Sequence, residues 1–219
     1  MSAKLTSYSK PIDPSLADFS LLDMIAYCAR VSNPENQMNV DTSEKLVSYL
    51  IRHQHWSPLE MVHVCMEIET TRDIARQILR HRSFSFQEFS QRYANVDIEH
   101  ASVIRDARFQ DQKNRQNSID CSDQSINETW QKMQSNVLQS SHEAYTWAID
   151  NGIAKEQARA VLPEGNTKTR LYMNGTLRSW VHYLQLRCAN GTQKEHMELA
   201  HACVDALSPI FPLIRDLIQ

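Results

Sequence analysis

The densest run of chemistry-bearing side chains lies between Arg72 and Arg92. Arg72, Arg76 and Arg80 recur every four residues, so on a helix they share one face. Arg80-His81-Arg82 closes that stretch, and Ser83, Ser85, Gln87, Glu88, Ser90, Gln91 and Arg92 follow, with Phe84, Phe86 and Phe89 interleaved. A guanidinium fork binds phosphate through paired, charge-assisted N–H bonds. Hydroxyls can fill the remaining phosphate oxygens, while amides and a carboxylate read sugar hydroxyls or a base edge. The mixture suits a nucleotide. Two plainer readings stand beside it. The arginines could form a solvated stripe, with the cations at 80–82 attracted by the carbonyl dipoles of a helix C-terminus. The phenylalanines are better read as core than as base platforms.

Backbone phosphate cradles are closed to this chain. It has only four glycines, Gly152, Gly165, Gly175 and Gly191, so neither a G-x-G-x-x-G turn nor a Walker loop can be built. Any phosphate must be held by side chains. The net charge of −3 argues against a protein that coats a polyanion, although a local basic site fits within that total. Five cysteines, odd in number and without C-x-x-C spacing, fit a reducing compartment better than a disulfide scaffold. The first residues lack the apolar run of a signal peptide, and no stretch is apolar enough to span a membrane. These features make the cytoplasm the expected location. His53 with His55 and His196 with His201 match no metal-ligand spacing, so no metal is expected.

The elements that must position these residues can be read from periodicity. Residues 15–30 read as a helix with Leu16, Phe19, Leu22 and Ile25 inward. Residues 41–53 read as a second, with Asp41 and Glu44 as a capping pair. Residues 60–69 alternate as a half-buried strand, with Val62, Val64, Met66 and Ile68 on one side. Thr70 or Thr71 then caps a helix to about Arg82, followed by a loop over 84–93 that leads into a strand or turn. Residues 98–123 read as a polar surface loop. Helices are expected over 125–151, 155–161, 176–187 and 192–208, and a strand over 169–173. Trp130, Trp147 and Trp180 are assigned to core. Hydrophobic content of 42% over 219 residues supports one packed domain, 1–219. The expected class is α+β, helices around a small antiparallel or mixed sheet.

The segment RHRSFSFQEFS, with seven residues between Arg80-His81-Arg82 and Ser90, resembles the signature of the flavin-dependent thymidylate synthases. Ala29-Arg30-Val31-Ser32, His55-Trp56-Ser57-Pro58-Leu59-Glu60, Arg159-Ala160-Val161-Leu162-Pro163 and Leu177-Arg178-Ser179-Trp180 through Leu186-Arg187 resemble further family segments in the same order. The resemblance covers roughly residues 29–195.

It implies methylation of dUMP to dTMP, with FAD as cofactor, NADPH and methylenetetrahydrofolate as co-substrates, and a homotetramer with shared active sites. Position by position, it implies that Arg80, His81 and Arg82 hold the flavin, with Ser57, Glu88, Thr176, Leu177, Arg178 and His182 also lining it. His55 and Ser32 are lesser contributors. Gln77, Ile78, Leu79, Arg80, Glu88, Phe89, Ser90, Gln91, Arg92 and Arg159 would surround dUMP. Arg187 would sit against the uracil and favour ionisation at N3, since a guanidinium stabilises charge spreading onto the ring oxygens.

The chain departs from the family pattern at Gly191, where a histidine is common, at Thr176 and His182, where asparagines are common, and at Met61, where a histidine often follows the P-x-E stretch. Cys188 beside Arg187 raises a second chemistry, thiolate addition to the uracil ring, against the plainer reading of a buried cysteine. Ser90 has no evident neighbouring base and reads as a phosphate or sugar contact. Two other functions compete: a non-catalytic nucleotide-binding module, and an RNA-binding protein using the patch from Arg72 to Arg92.

Overall fold

The computed structural model describes residues 1–95 and 102–218. Its strands are β1 (Ser2–Tyr8), β2 (His63–Thr71), β3 (Phe84–Glu88), β4 (Arg108–Gln110), β5 (Ser118–Asp120) and β6 (Lys168–Thr176). Its helices are α1 (Leu21–Ala29), α2 (Ser43–Arg52), α3 (Arg72–Ile78), α4 (Gln124–Asp150), α5 (Lys155–Ala158), α6 (Leu177–Arg187), α7 (Lys194–Leu207) and α8 (Ile214–Leu217). Four strands make one sheet in the order β1-β2-β6-β3, and every neighbouring pair is antiparallel. β4 and β5 pair as a separate hairpin. The fold is α+β, and of the two expected sheet types the antiparallel one is found.

The sheet works by alternation. β2 and β6 pair from His63 opposite Thr176 to Thr71 opposite Lys168. Val64, Met66, Ile68, Leu171 and Met173 are all fully buried on one face. Ile74 and Ile78 of α3, Leu177, Trp180 and Leu184 of α6, and Leu199, Cys203 and Leu207 of α7 belong to the same core. Each large apolar side chain buried there contributes roughly 1.5–3 kcal/mol. The Trp180 indole donates to the Val64 carbonyl at 3.0 Å, which satisfies its one polar atom.

β3 joins through a close approach. Phe84 lies opposite Gly175, where a Cβ would fall 2.5 Å from the Phe84 ring. Glycine therefore lets the ring lie on the backbone and meet Trp180 edge-on at 5.0 Å. β6 then passes directly into α6, because the Thr176 hydroxyl accepts from the Ser179 N–H at 3.2 Å and caps the helix.

Several expectations need correction. The helix expected over 15–30 is a short 3-10 turn followed by α1, because Ser20 takes an extended conformation and forms a capping box with Asp23. Asp41 and Glu44 do not cap α2. Thr42 holds the cap position without a capping bond, and its hydroxyl instead receives the Arg30 guanidinium at 2.7 Å. The helix after Thr71 stops at Ile78, and Thr71 makes no side-chain cap bond. Residues 84–88 are a strand, since Phe84, Phe86 and Glu88 pair along β6. The polar segment expected to be a loop contains the β4–β5 hairpin, and its residues 98–101 lie outside the described part. β1 was not expected at all. Trp180 is core, but Trp130 and Trp147 are 44% and 62% exposed on α4.

Candidate active site

The turn after α3 meets the second half of α6. Arg187 donates from Nε to His81 Nε2 at 3.0 Å. The imidazole nitrogen must be bare to accept, so the His81 proton is on Nδ1. Burial, and then the Arg187 charge, push the His81 pKa down to about 4. The ring is therefore neutral at physiological pH, with an N–H to offer a ligand. Arg187 spends only its Nε on the protein here, and its terminal nitrogens have no carboxylate partner among the described residues. Tyr183 meets the His81 ring edge-on at 4.9 Å and holds its plane.

Gln77 is brought to the same place from one turn earlier in α3. Its carboxamide is engaged on both ends, by His196 Nδ1 at 3.1 Å and by Gln193 Oε1 at 2.8 Å. Arg80 and Arg82 are exposed, and neither has an ion-pair partner among the described residues. Leu79 is half-buried, whereas Ile78 and Leu177 are fully buried core residues. Only backbone groups at Ile78 and Leu177 could meet a ligand.

A second group lies at the start of α6. Arg178 pairs with Glu60, which the 3-10 turn Ser57–Glu60 carries. His182, one helical turn on, receives the edge of Trp56 at 4.6 Å. Burial, and then Arg178, lower the His182 pKa, so this ring too is biased to its neutral form. The start of α6, with Thr176 at its cap and Arg178 and His182 on its first turns, thus meets the turn that begins at exposed Ser57. Ser32 and His55 are exposed, with His55 packed near His53 and Tyr49.

A third group is internally compensated. Glu88 pairs with Arg72 at 3.3 Å, approaches Arg76 at 3.9 Å and accepts from the Thr169 hydroxyl at 2.9 Å. Gln91 is buried and Phe89 exposed beyond it. A fourth joins Arg92 and Arg159: Glu156 pairs with Arg92 at 3.4 Å, and its carbonyl accepts from Arg159 Nε at 3.4 Å. The Ser90 hydroxyl accepts from the Arg92 N–H at 3.4 Å, and among the described residues no activating base bonds to it.

A cleft of about 1300 Å³ reaches Phe89 and Gln91 and is also lined by Arg105, Arg108, Lys168 and Arg170. It does not contain the half-buried pair His81 and Arg187. Exposed cations at Arg80 and Arg82, a neutral imidazole N–H and the Arg178 edge form a donor set that fits a large, anionic, aromatic ligand.

Burial pushes the Cys188 thiol up to about 11, so it is not a thiolate at neutral pH. The thiolate chemistry is thereby set aside. Tyr183, Gln193, Glu195 and His196 were not anticipated as site residues. Their hydrophobic or polar spacing in α6 and α7 carries no mark of the hydrogen bonds that link them, directly or in sequence, to Gln77.

No helix among the described residues is long and apolar enough to cross a membrane. A family model described as "Thymidylate synthase complementing protein" matches residues 19–213. The chain is 49% identical over 214 residues to the probable flavin-dependent thymidylate synthase of Paramecium bursaria Chlorella virus 1, covering 98% of this chain and 97% of that one. It is 52% identical over 196 residues to the flavin-dependent thymidylate synthase of a Synechocystis species, covering 90% and 88%. In fold it is similar to the UMP/dUMP methylase PolB of Streptomyces cacaoi solved with 5-Br dUMP, with a TM-score of 0.83, 24% identity and coverage of 99% and 93%. That last likeness speaks to the fold alone. Taken with the ordered signature around His81 and Arg187, the match over nearly the whole length shows that the chain belongs to the thymidylate synthase complementing protein family.

Proposed function

We propose that this chain is a flavin-dependent thymidylate synthase, methylating dUMP to dTMP. The observation that carries the reading is the Arg187–His81 pair: a guanidinium anchored through Nε on a neutral imidazole, with its outer nitrogens free of any described carboxylate. Such a group is pre-aimed at an anion. Facing a uracil ring, it stabilises negative charge on the ring oxygens and favours loss of the N3 proton, which makes C5 a better nucleophile. Arg80, Arg92 and Arg159 supply the cations for the 5′-phosphate, with Ser90 beside them, and Gln77 presents an amide to the nucleotide. Glu88, Leu79, Phe89 and Gln91 line the same segment.

FAD fits the donors at Arg80, His81, Arg82, Ser57, Thr176, Arg178 and His182, together with the backbone at Leu177. When bound and reduced it supplies the hydride that completes the methyl group. NADPH is the proposed reductant and methylenetetrahydrofolate the carbon donor. The side chains themselves bind, orient and polarise. All five cysteines are free, in keeping with a cytoplasmic enzyme. The proposed assembly is a homotetramer with shared sites. One feature supports it: an exposed stripe of Ile126, Trp130, Met133 and Val137 along α4. The acidic net charge and the family membership weigh against an RNA-binding role.

The test is anaerobic absorbance spectroscopy of the purified protein with FAD. Bound flavin that bleaches with NADPH, then regains its oxidised spectrum with dUMP and methylenetetrahydrofolate as dTMP forms, supports the reading. Failure to bind flavin at any concentration tested would sink it.

A further inference from the structure

Gln77 is held within a chain of hydrogen bonds that joins α3 to α6 and to the start of α7. Arg108 donates to Glu195 Oε1 at 2.5 Å, and Gln193 Nε2 donates to Glu195 Oε2 at 2.9 Å. Gln77 Nε2 donates to Gln193 Oε1 at 2.8 Å. His196 Nδ1 lies 3.1 Å from Gln77 Oε1, and the Tyr183 hydroxyl lies 3.0 Å from His196 Nε2. His196 is fully buried and Tyr183 nearly so.

The direction of the chain is forced from one end. An ionised carboxylate accepts only, so Gln193 must turn its nitrogen to Glu195 and its oxygen to Gln77. Gln77 must then donate to that oxygen and offer its own oxygen to His196. His196 must carry its proton on Nδ1, and the Tyr183 hydroxyl must donate to Nε2. Reversing any member alone places two donors or two acceptors face to face in a half-buried to buried site, which is costly. Reversing all of them turns the Gln193 oxygen onto the Glu195 carboxylate. Burial raises the Glu195 pKa, but Arg108, the Glu195 backbone N–H and Gln193 outweigh it and keep the group an anion.

We propose that Glu195 is a positioning residue for the nucleotide site, whose charge sets the direction of this chain and so fixes which way the Gln77 carboxamide is turned. One N–H and one lone pair of Gln77 remain for a ligand, and turning the amide over exchanges their places. The consequence for substrate rests on Gln77 being a nucleotide contact, as proposed above.

The test uses the full chain labelled with 15N-histidine. In the unmodified protein at neutral pH, His196 is expected as the Nδ1–H tautomer; an Nε2–H tautomer overturns the proposal even if no variant folds. Glu195→Gln is expected to lose that single tautomer and to weaken dUMP binding about tenfold, with FAD affinity unchanged. Adding Gln193→Glu moves the carboxylate one step along, where it accepts from Gln77 directly, and should restore both signals. An unaltered tautomer and dUMP affinity in Glu195→Gln, or failure of the second change to restore them, would overturn it. An unmodified protein that shows the Nδ1–H tautomer but binds no dUMP would instead refute the nucleotide reading and leave the chain's direction standing.

Discussion

The two ends of the segment from Gln77 to Arg92 handle charge in opposite ways. At Glu88 the charges are matched within the protein: Arg72 is 8% exposed, Glu88 15%, and the Thr169 hydroxyl takes up a further carboxylate bond. At His81 the neighbouring cation, Arg187, rests on a neutral ring and has no described carboxylate. A matched buried pair holds its elements in place, here β3 against α3 and β6. An unmatched cation, held rigidly but left open, is incomplete until an anion arrives. Residue type alone does not separate the two ends, since both are arginine-rich. The partner does.

The largest effect is expected at the open end. Arg187→Ala should lower turnover roughly a thousandfold, with the fold and bound flavin retained. Steady-state rates at saturating dUMP would check this, and full activity would remove Arg187 from the mechanism. At the closed end, Glu88→Ala leaves Arg72 buried without its counter-charge. Its expected cost is about 3 kcal/mol of stability, read by urea denaturation. An unchanged midpoint would show that the Glu88 pair holds nothing together.

The imidazoles sharpen the contrast through pH. His81 is pushed to about 4 and His196 to about 3, both below the ordinary value of 6.5. In the unfolded chain each takes up a proton at higher pH than in the fold. The stability they contribute is therefore full above the unfolded value, falls as pH drops from 6.5, and is lost on passing the folded values. Thermal denaturation from neutral to acid pH should show this decline. His81→Asn should make it shallower, and an unaltered slope would contradict the assignment.

The smallest effect is expected at the exposed Arg92–Glu156 pair. Glu156→Gln should change stability by less than about 0.5 kcal/mol, because solvent screens such a pair. A large loss of stability there would mean that exposure is a poor guide to which ion pairs matter in this molecule.

How much of this was legible beforehand follows from where each signal resides. β2 was readable because Val62, Val64, Met66 and Ile68 keep strict alternation against polar neighbours. β3 alternates too, with Phe84 and Phe86 between Ser85 and Gln87, but its flanking arginines read as loop until Gly175 opened a place for Phe84 on β6. β1 has the same period, interrupted by a register shift between Leu5 and Ser7. The helix at 125–151 could be placed, but residue type alone does not say whether a tryptophan is covered, and Trp130 and Trp147 are exposed. The arginine cluster could be named from residue types and motif order. The bonds that distinguish its members could not, because Gln77, Tyr183, Gln193 and His196 come from separate elements and meet only through tertiary packing.

The most direct test of Arg187's part in catalysis is the ionisation of bound 5-fluoro-dUMP at N3, followed by ultraviolet difference spectra across pH. The expected result is a midpoint below that of the free nucleotide in the unmodified enzyme, returning to the free value in Arg187→Ala. Equal midpoints for free and bound nucleotide, or a shift that survives removal of Arg187, would contradict it.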